Sequence, residues 1–197
     1  MKENQIIEKY KEHILEKGKP PASVFRFAKS LDLSEREFFE HFASFEAIEA
    51  VIWKNLVTAS VSAIRLGEEW DGFTAQQKLL TFYYAFFEKA LDDRSFLLVR
   101  FPRCRGRQSP ASQLQQMKLE FTAFARKIIS EGTEKNEIAC RGKLNDTYPS
   151  GMFRHFISAI EFNLDDTSQR FERTDAFIEK SVQLGFDLIG RNALESA

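Results

Sequence analysis

The sequence predicts an all-α protein of about nine helices. Apolar residues recur with helical spacing along almost the whole chain of 197 residues, and no convincing alternating run indicates a strand. Caps, glycines and prolines divide this pattern at intervals that suit helices of ordinary length. A hydrophobic content of 43% is enough for a buried core. Twenty phenylalanines against four tyrosines and two tryptophans indicate a thick apolar core or an apolar cavity.

The first four helices are predicted from residues that begin or end a helix. Apolar residues share one face of residues 4–17, and Gly18 ends this helix. Ser23, Ser34 and Ser44 are placed to cap the second, third and fourth helices. The fourth helix is expected to run to about residue 66.

Five further helices are predicted in the rest of the chain. Thr74 with Gln77 forms a capping box, and Thr174 is expected to cap the last helix. The predicted segments are 74–91, 94–101, 109–131, 146–164 and 174–194. The first of these is apolar on all sides, which predicts burial. We expect a small domain over 1–47 and a larger one over 48–197, linked by the helix at about 44–66.

Three short helices with a tight turn before the third form a helix-turn-helix. Residues 6–53 (IIEKYKEHILEKGKPPASVFRFAKSLDLSEREFFEHFASFEAIEAVIW) resemble the N-terminal domain of TetR-family repressors. The matching marks are Gly18, Ser23-Val24, Ala28, Ser34, the aromatic-x-His-Phe run at 39–42, and Ser44-x-Glu46. The resemblance implies that the third helix enters the major groove while the second crosses the DNA backbone. It also implies a ligand-binding and dimerisation domain in the remaining chain.

The resemblance assigns a DNA-contacting role to one set of residues. They are Ser23, Ser34, Glu35, Arg36, Glu37, Phe39, Glu40 and His41. Glu37, Phe39 and Phe45 stand where the family usually has a hydroxyl residue, Tyr and Lys. Between residues 32 and 46 there are five acids and one Arg, a local composition that weakens attraction to phosphate. Glu37 also has a structural explanation, because Ser34-x-x-Glu37 is a capping box.

The resemblance places an effector cavity and a dimer interface in the larger domain. Six aromatic residues are the candidates for the cavity: Phe82, Tyr83, Phe86, Phe87, Phe121 and Phe124. Plain core packing is the alternative for these rings. Six residues of the last two helices are the candidates for a homodimer interface: Phe153, Ile157, Ile178, Val182, Gly185 and Ile189. Gly185 would allow a partner helix to approach closely, and packing in the chain's own core is the alternative for the stripe of Ile178, Val182, Gly185 and Ile189.

Composition limits the other classes of function. A net charge of −1 and a pI near 6.4 give no overall attraction to nucleic acid or to an anionic membrane. No apolar run approaches the length of a transmembrane helix, and the N-terminus is no secretory signal, so a cytoplasmic protein is expected. The histidines are scattered without metal-ligand spacing, and no catalytic constellation is present, so we expect no metal, no cofactor and no enzyme activity. Cys104 lies among Arg100, Arg103, Arg105 and Arg107, in what is interpreted as a solvated loop, with a redox-sensitive thiol as the alternative.

These observations predict a TetR-like transcriptional regulator. It would be a repressor that binds operator DNA as a dimer and responds to a hydrophobic small molecule. The alternative is a TetR-fold protein that has lost DNA binding and serves as a lipid- or isoprenoid-binding module. The three departures at Glu37, Phe39 and Phe45 favour that alternative.

Overall fold

The protein is described by a computed structural model that covers residues 3–102 and 112–190. Within these ranges nine α-helices, joined by turns and short 3-10 segments, confirm the all-α prediction. The helices are α1 (Glu3–Lys17), α2 (Val24–Ser30), α3 (Glu35–His41), α4 (Phe45–Ile64), α5 (Ala75–Asp92), α6 (Arg94–Arg100), α7 (Gln115–Glu134), α8 (Tyr148–Asp165) and α9 (Glu172–Ile189). Most of the predicted boundaries lie within two or three residues of these.

The chain divides into two compact units. The first comprises residues 1–55 and 92–117, and the second comprises residues 56–91 and 118–197. The sequence-based boundary near residue 47 did not place α6 with the N-terminal helices. The structure does so because α6 packs on α1 within the first unit.

Side-chain caps begin the short helices as the sequence predicts. The Ser23 hydroxyl accepts from the amide of Arg26 at the start of α2. Ser34 and Glu37 form a complete capping box at the start of α3. Thr74 and Gln77 form the same reciprocal pair before α5. Each cap satisfies amides that have no partner inside the helix, so local sequence fixes these boundaries.

The starts of α7 and α9 differ from the sequence-based prediction. A 3-10 turn over Ser112–Leu114 precedes α7, and residues 109–111 lie outside the described ranges. Thr174 is inside α9 rather than at its cap, and its amide and hydroxyl donate to Asp166 at 2.9 and 2.7 Å. Ser168 donates to the other oxygen of that carboxylate. Burial by itself would raise the pKa of Asp166, but these four hydrogen bonds lower it to about 2.

Helix α5 is amphipathic rather than apolar on all sides. Phe82, Tyr83 and Phe86 are fully buried on one face. Tyr84 and Leu91 are 38% and 49% exposed. The prediction of burial on every side was therefore wrong, because exposed aromatic and aliphatic residues made the outer face look like core.

A buried carboxylate joins three helices of the first unit. Glu49 on α4 is 1% exposed. One of its oxygens accepts from the Tyr10 hydroxyl of α1 and from Nε of Arg100 on α6, both at 2.6 Å. Burial and the Glu49 carboxylate raise the pKa of Tyr10, so the phenol remains a donor. Arg100 is thus part of the core network and not of a solvated loop, which corrects the interpretation from sequence.

Aromatic packing completes this core. Trp53 contacts Phe96 and Phe101 with ring centroids 5.5 and 5.7 Å apart. Tyr10 contacts Phe96 edge to face at 6.3 Å. Lys11 on α1 forms an ion pair with Asp93 at 2.9 Å, just before α6. Helix α6 is therefore joined to α1 and α4 by both apolar and charged contacts.

Replacing Arg100 with Met should destabilise the first unit. The substitution keeps an apolar stem but leaves the buried Glu49 carboxylate with Tyr10 as its remaining donor in this network. We expect a loss of about 2–3 kcal/mol in the free energy of unfolding, measured by urea denaturation. Arg36→Met is the control, because the Arg36–Glu40 pair is exposed on both sides. Equal stability of the two variants would contradict a structural role for Arg100.

Candidate DNA interface and ligand groove

Helix α3 presents its polar side to solvent. Phe38 is fully buried and Phe42, just after the helix, is 3% exposed. The predicted DNA-contacting residues of this helix are all exposed. They are Glu35, Arg36, Glu37, Phe39, Glu40 and His41. Phe38 and Phe42 thus point into the protein, and the charged residues of the helix point to solvent.

The Glu37 carboxylate is engaged in the helix cap. It accepts from the amide of Ser34 at 2.8 Å and from the Ser34 hydroxyl at 2.7 Å. These hydrogen bonds lower the pKa of Glu37, so it is ionised at neutral pH. The Ser34 hydroxyl in turn accepts from the amide of Glu37. Both residues therefore hold α3 in shape, whatever else they contact.

The surface around α3 is acidic. The exposed acids between residues 32 and 46 are Asp32, Glu35, Glu37, Glu40 and Glu46. Counting Asp, Glu, Lys and Arg alone, the five acids and Arg36 give this segment a net charge of −4. Arg36 has a side chain that is 90% exposed, and its Nε lies 3.6 Å from Glu40. The guanidinium is thus held by a weak, solvent-exposed pair.

The three departures from the family pattern have different environments. Glu37 belongs to the cap, and Phe39 is 52% exposed. Phe45 is half-buried and stacks on Tyr10 with ring centroids 5.5 Å apart. It also meets Phe27 and Phe38 edge to face. Phe45 thus replaces a phosphate-facing residue of the family pattern by a ring that packs into the first unit.

The aromatic residues predicted to line a cavity are packed on one another in the second unit. Phe82 contacts Phe121 and Phe124 at 5.4 and 4.9 Å between ring centroids. Phe156, which the prediction omitted, stacks on Phe121 at 4.7 Å and meets Phe86 at 4.7 Å. These are ordinary contact distances for aromatic rings. The described rings therefore pack against one another here, and their role in lining an effector cavity stays a prediction.

The remaining two aromatic candidates are at the edge of this core. The Tyr83 hydroxyl lies 2.6 Å from Nδ1 of His155. Phe87 is half-buried and contacts Phe86 at 5.4 Å. A role of these residues in ligand binding stays a prediction.

A groove of about 320 Å³ lies between α8 and α9 and reaches α5. Its size is within the usual range for small-molecule sites, and its lining is mostly apolar with a few polar side chains. The lining residues are Leu79, Thr147, Tyr148, Gly151, Met152, His155, Ser181, Val182, Gly185, Phe186, Leu188 and Ile189. A Cβ added at Gly151 or Gly185 would meet nothing within 4 Å. The two glycines thus leave room in the groove.

A directed chain of hydrogen bonds crosses one side of the groove. Tyr83 lies 2.6 Å from Nδ1 of His155, and Nε2 of His155 lies 2.7 Å from the Ser181 hydroxyl. Ser181 donates to the carbonyl of Phe177 at 2.5 Å. Because Ser181 donates onward, it accepts from Nε2, and Nδ1 then accepts from Tyr83. This order requires a neutral His155, and burial lowers the pKa of that imidazole.

The predicted dimer residues divide into buried and partly exposed groups. Four are buried inside their own chain: Phe153, Ile157, Ile178 and Val182. Gly185 and Ile189 are half-exposed and line the groove. Leu184 and Leu188 on the same helix, which sequence reasoning omitted, are 60% and 63% exposed. The surface that these two helices offer to another molecule is therefore made of residues other than the four buried ones.

The described residues bear on the predictions about cysteine reactivity, metal binding and a membrane span. Cys104 and its neighbouring arginines at 103, 105 and 107 lie outside the described residues, and Cys140 is an exposed free thiol. Residues 3–102 and 112–190 contain no cluster of three or more metal-ligating side chains. One stretch of these residues, Glu35–Ile64, has the length and composition to cross a membrane. Half of its most apolar window is buried inside the protein, as in an ordinary core helix, so this is weak evidence for a span.

The fold and the exposed third helix define a regulator with an N-terminal helix-turn-helix. Residues 78–197 match the family described as "Tetracyclin repressor-like, C-terminal domain". This match covers 120 of the 197 residues, counted from 78 to 197. The chain therefore belongs to the TetR family of transcription regulators.

Solved structures with the same fold cover almost the whole chain. A proposed TetR-family transcription regulator from Shewanella sp. PV-4 has 16% identity and a TM-score of 0.61, over 94% of this chain and 96% of that one. The fatty acid degradation regulator FadR from Bacillus halodurans has 16% identity and a TM-score of 0.65, over 92% and 93%. A protein of unknown function from Rhodococcus sp. RHA1 has 12% identity and a TM-score of 0.59, over 96% and 95%. No curated protein matches the sequence. At these identities the likeness shows the fold alone.

Sequence reasoning missed the groove and its polar residues. His155 was noted only as a scattered histidine, and Arg141, Tyr148 and Gly151 were not considered. The available signal was that Gly151 and Gly185 lie within two consecutive amphipathic helices, where glycine is unfavourable. The pairing of Tyr83 with His155 joins residues 72 positions apart, which no local pattern indicates.

The lowered pKa of His155 predicts a pH-dependent stability. The unfolded state takes up a proton near pH 6.5, whereas folded His155 resists it. Its contribution is therefore complete above pH 6.5 and is lost as the pH falls through the folded-state pKa. Thermal unfolding between pH 7.5 and 5 should show a falling Tm for the wild type, with a smaller slope in His155→Gln. An unchanged slope in the variant would contradict this assignment.

Proposed function

We propose that this TetR-family protein is a DNA-binding repressor that responds to a hydrophobic small molecule. The observation that carries the proposal is the exposed α3, which is capped at its start and anchored by Phe38. Its exposed outer face supports the proposal, because a recognition helix must present such a face to the major groove. As a regulator it has no enzyme activity in this proposal, and it acts in the cytoplasm.

Arg36 is the residue that we assign to base reading. Its guanidinium is exposed and can form a bidentate contact with guanine. The acids around it repel phosphates, so fewer counterions are released than by a strongly basic reading head. We therefore propose specific but comparatively weak DNA binding. The half-buried Phe45 supports this view, because it supplies no donor to the DNA backbone.

We also propose a homodimer formed through α8 and α9. Exposed Leu184 and Leu188 are apolar residues that a second copy would cover. A dimer of this kind would present two reading helices to the two halves of a pseudo-palindromic operator. The effector, in this proposal, occupies the groove between the same two helices, since the aromatic core is filled by its own rings.

Selection from a random duplex library should test the DNA interface. The wild-type chain should enrich a pseudo-palindromic sequence at low salt. In anisotropy titrations on the selected duplex, Arg36→Ala should lose about 1–3 kcal/mol and the preference at one base position in each half-site. Glu37→Gln should bind all sequences more tightly, because it removes a negative charge while glutamine can still complete the capping box.

The opposite results would decide against this interface. Equal binding by the wild type and Arg36→Ala would remove Arg36 from base reading. If the wild-type chain enriches no sequence and binds no duplex at low salt, the alternative function is favoured. The protein would then be a lipid- or isoprenoid-binding module that has lost DNA binding.

Light scattering should test the dimer. Gly185→Trp places a large ring in the free space above α9, so we expect it to be monomeric at a micromolar concentration where the wild type is dimeric. Ala176→Trp is the matched control, because Ala176 is exposed on the same helix and does not line the groove. A monomeric wild type would end the proposal.

A further inference from the structure

The α8–α9 groove has the form of a site for a narrow apolar molecule. Leu79 of α5 and Val182 and Phe186 of α9 are buried apolar residues that line it. Its volume of about 320 Å³ corresponds to roughly ten water-sized groups, because one water occupies about 30 Å³ in the liquid. Since Gly151 and Gly185 leave this space open on both helices, the groove exists before any ligand enters.

One end of the groove carries a positive charge. Nη1 of Arg141 donates to the Tyr148 hydroxyl at 3.3 Å and to the carbonyl of Leu188 at 3.1 Å. Tyr148 and Leu188 both line the groove. In the part of the chain that the structure describes, no carboxylate lies within ion-pair distance of Arg141. The guanidinium therefore has further N–H donors available beside the groove.

The polar groups on the other side of the groove are already paired. His155 and Ser181 are linked to Tyr83 and to the carbonyl of Phe177. A ligand that relied on these groups would have to break that chain. At the Arg141 end, the guanidinium has N–H donors with no acceptor among residues 3–102 and 112–190, so a ligand could bind there without breaking that chain.

We propose that this groove binds an amphipathic carboxylate, namely a fatty acid of about eight to ten carbons. The volume of the groove has room for roughly that many heavy atoms. Its carboxylate pairs with Arg141 and accepts from Tyr148, and its alkyl chain lies along Leu79, Val182 and Phe186. Arginine binds carboxylates through two parallel N–H···O contacts, which favours an acid over an alcohol of equal length. The inference deepens the proposed function, because it names the class of effector, and a second copy packed on α8 and α9 would cover the bound molecule.

Calorimetric titration of the full chain with free fatty acids tests the apolar part. Hexanoate, octanoate and decanoate are the probes, each kept below its micelle concentration. The Kd should fall about fourfold for each added methylene, because burying one methylene contributes about 0.8 kcal/mol. Absence of binding, or affinity that does not depend on chain length, would overturn the proposal.

Variants of Arg141 test the polar end. Arg141→Met should weaken decanoate binding at least tenfold and leave 1-decanol binding nearly unchanged. Arg141→Lys keeps the charge without the planar guanidinium, so its affinity for decanoate should lie between those of the wild type and Arg141→Met. Because Arg141 also donates to Leu188, thermal unfolding of each variant shows whether the fold is retained. Equal losses for the acid and the alcohol in a folded variant would remove Arg141 from the site.

Filling the groove tests its location. Gly151→Leu adds a side chain into open space and should abolish decanoate binding while the fold is kept. Ser150→Leu is the matched control, because Ser150 is exposed on the same helix and does not line the groove, and it should bind as the wild type does. Unchanged decanoate binding by Gly151→Leu would overturn the location.

Two further measurements distinguish ligand binding in the groove from dimer formation and from regulation of DNA binding. If the wild type binds no carboxylate and Gly151→Leu alters only the sedimentation coefficient, a second copy occupies the groove and the proposal is overturned. If decanoate binds as expected but does not change DNA affinity, the ligand site stands and its regulatory role fails. Binding and regulation are thus tested by different readouts.

Discussion

The first unit depends on how a single buried carboxylate is neutralised. Glu49 is almost completely removed from water, and an isolated carboxylate in such a place would be strongly destabilising. Tyr10 and Arg100 donate to the same oxygen, so burial of the charge is tolerated only while α1 and α6 remain in position. An apolar residue in this place would be buried without any cost of removing a charge from water. The carboxylate instead makes the arrangement of three helices specific, since a shift of either partner leaves the buried charge with only one of these two donors.

Helix α3 serves two requirements that compete for the same residues. The capping box takes Ser34 and Glu37, and seven residues are too few to form a stable helix without such help. A DNA-reading helix, in contrast, benefits from donors at its start. In this chain the capping residue Glu37 is charged. Its carboxylate stabilises the start of the helix but repels phosphate. In the proposed function, the exposed cation of Arg36 offsets that repulsion at a base edge.

Local sequence predicted most of the helices and their caps, because the groups involved are three or four residues apart. The serine and threonine caps and the inward direction of Phe38 follow from this short-range logic. What it could not supply were contacts across long separations, such as Arg100 with Glu49 or Tyr83 with His155. Exposed Tyr84 likewise made α5 look like a core helix, since composition does not show which side faces solvent. The candidate DNA residues were found through their family pattern, whereas the groove required the structure.

The aromatic core explains why a ligand site is better sought in the groove than among the phenylalanines. Phe82 has ring contacts with Phe121, Phe124 and Phe156, each between 4.9 and 5.4 Å. Such pairs contribute about 0.5–1.5 kcal/mol each beyond the burial of area, so opening a cavity here would sacrifice several of them at once. A ligand entering the core would have to recover that loss before it gained any affinity. In the groove between α8 and α9 the space is already present, and glycines line it at two positions where a Cβ would still meet nothing within 4 Å.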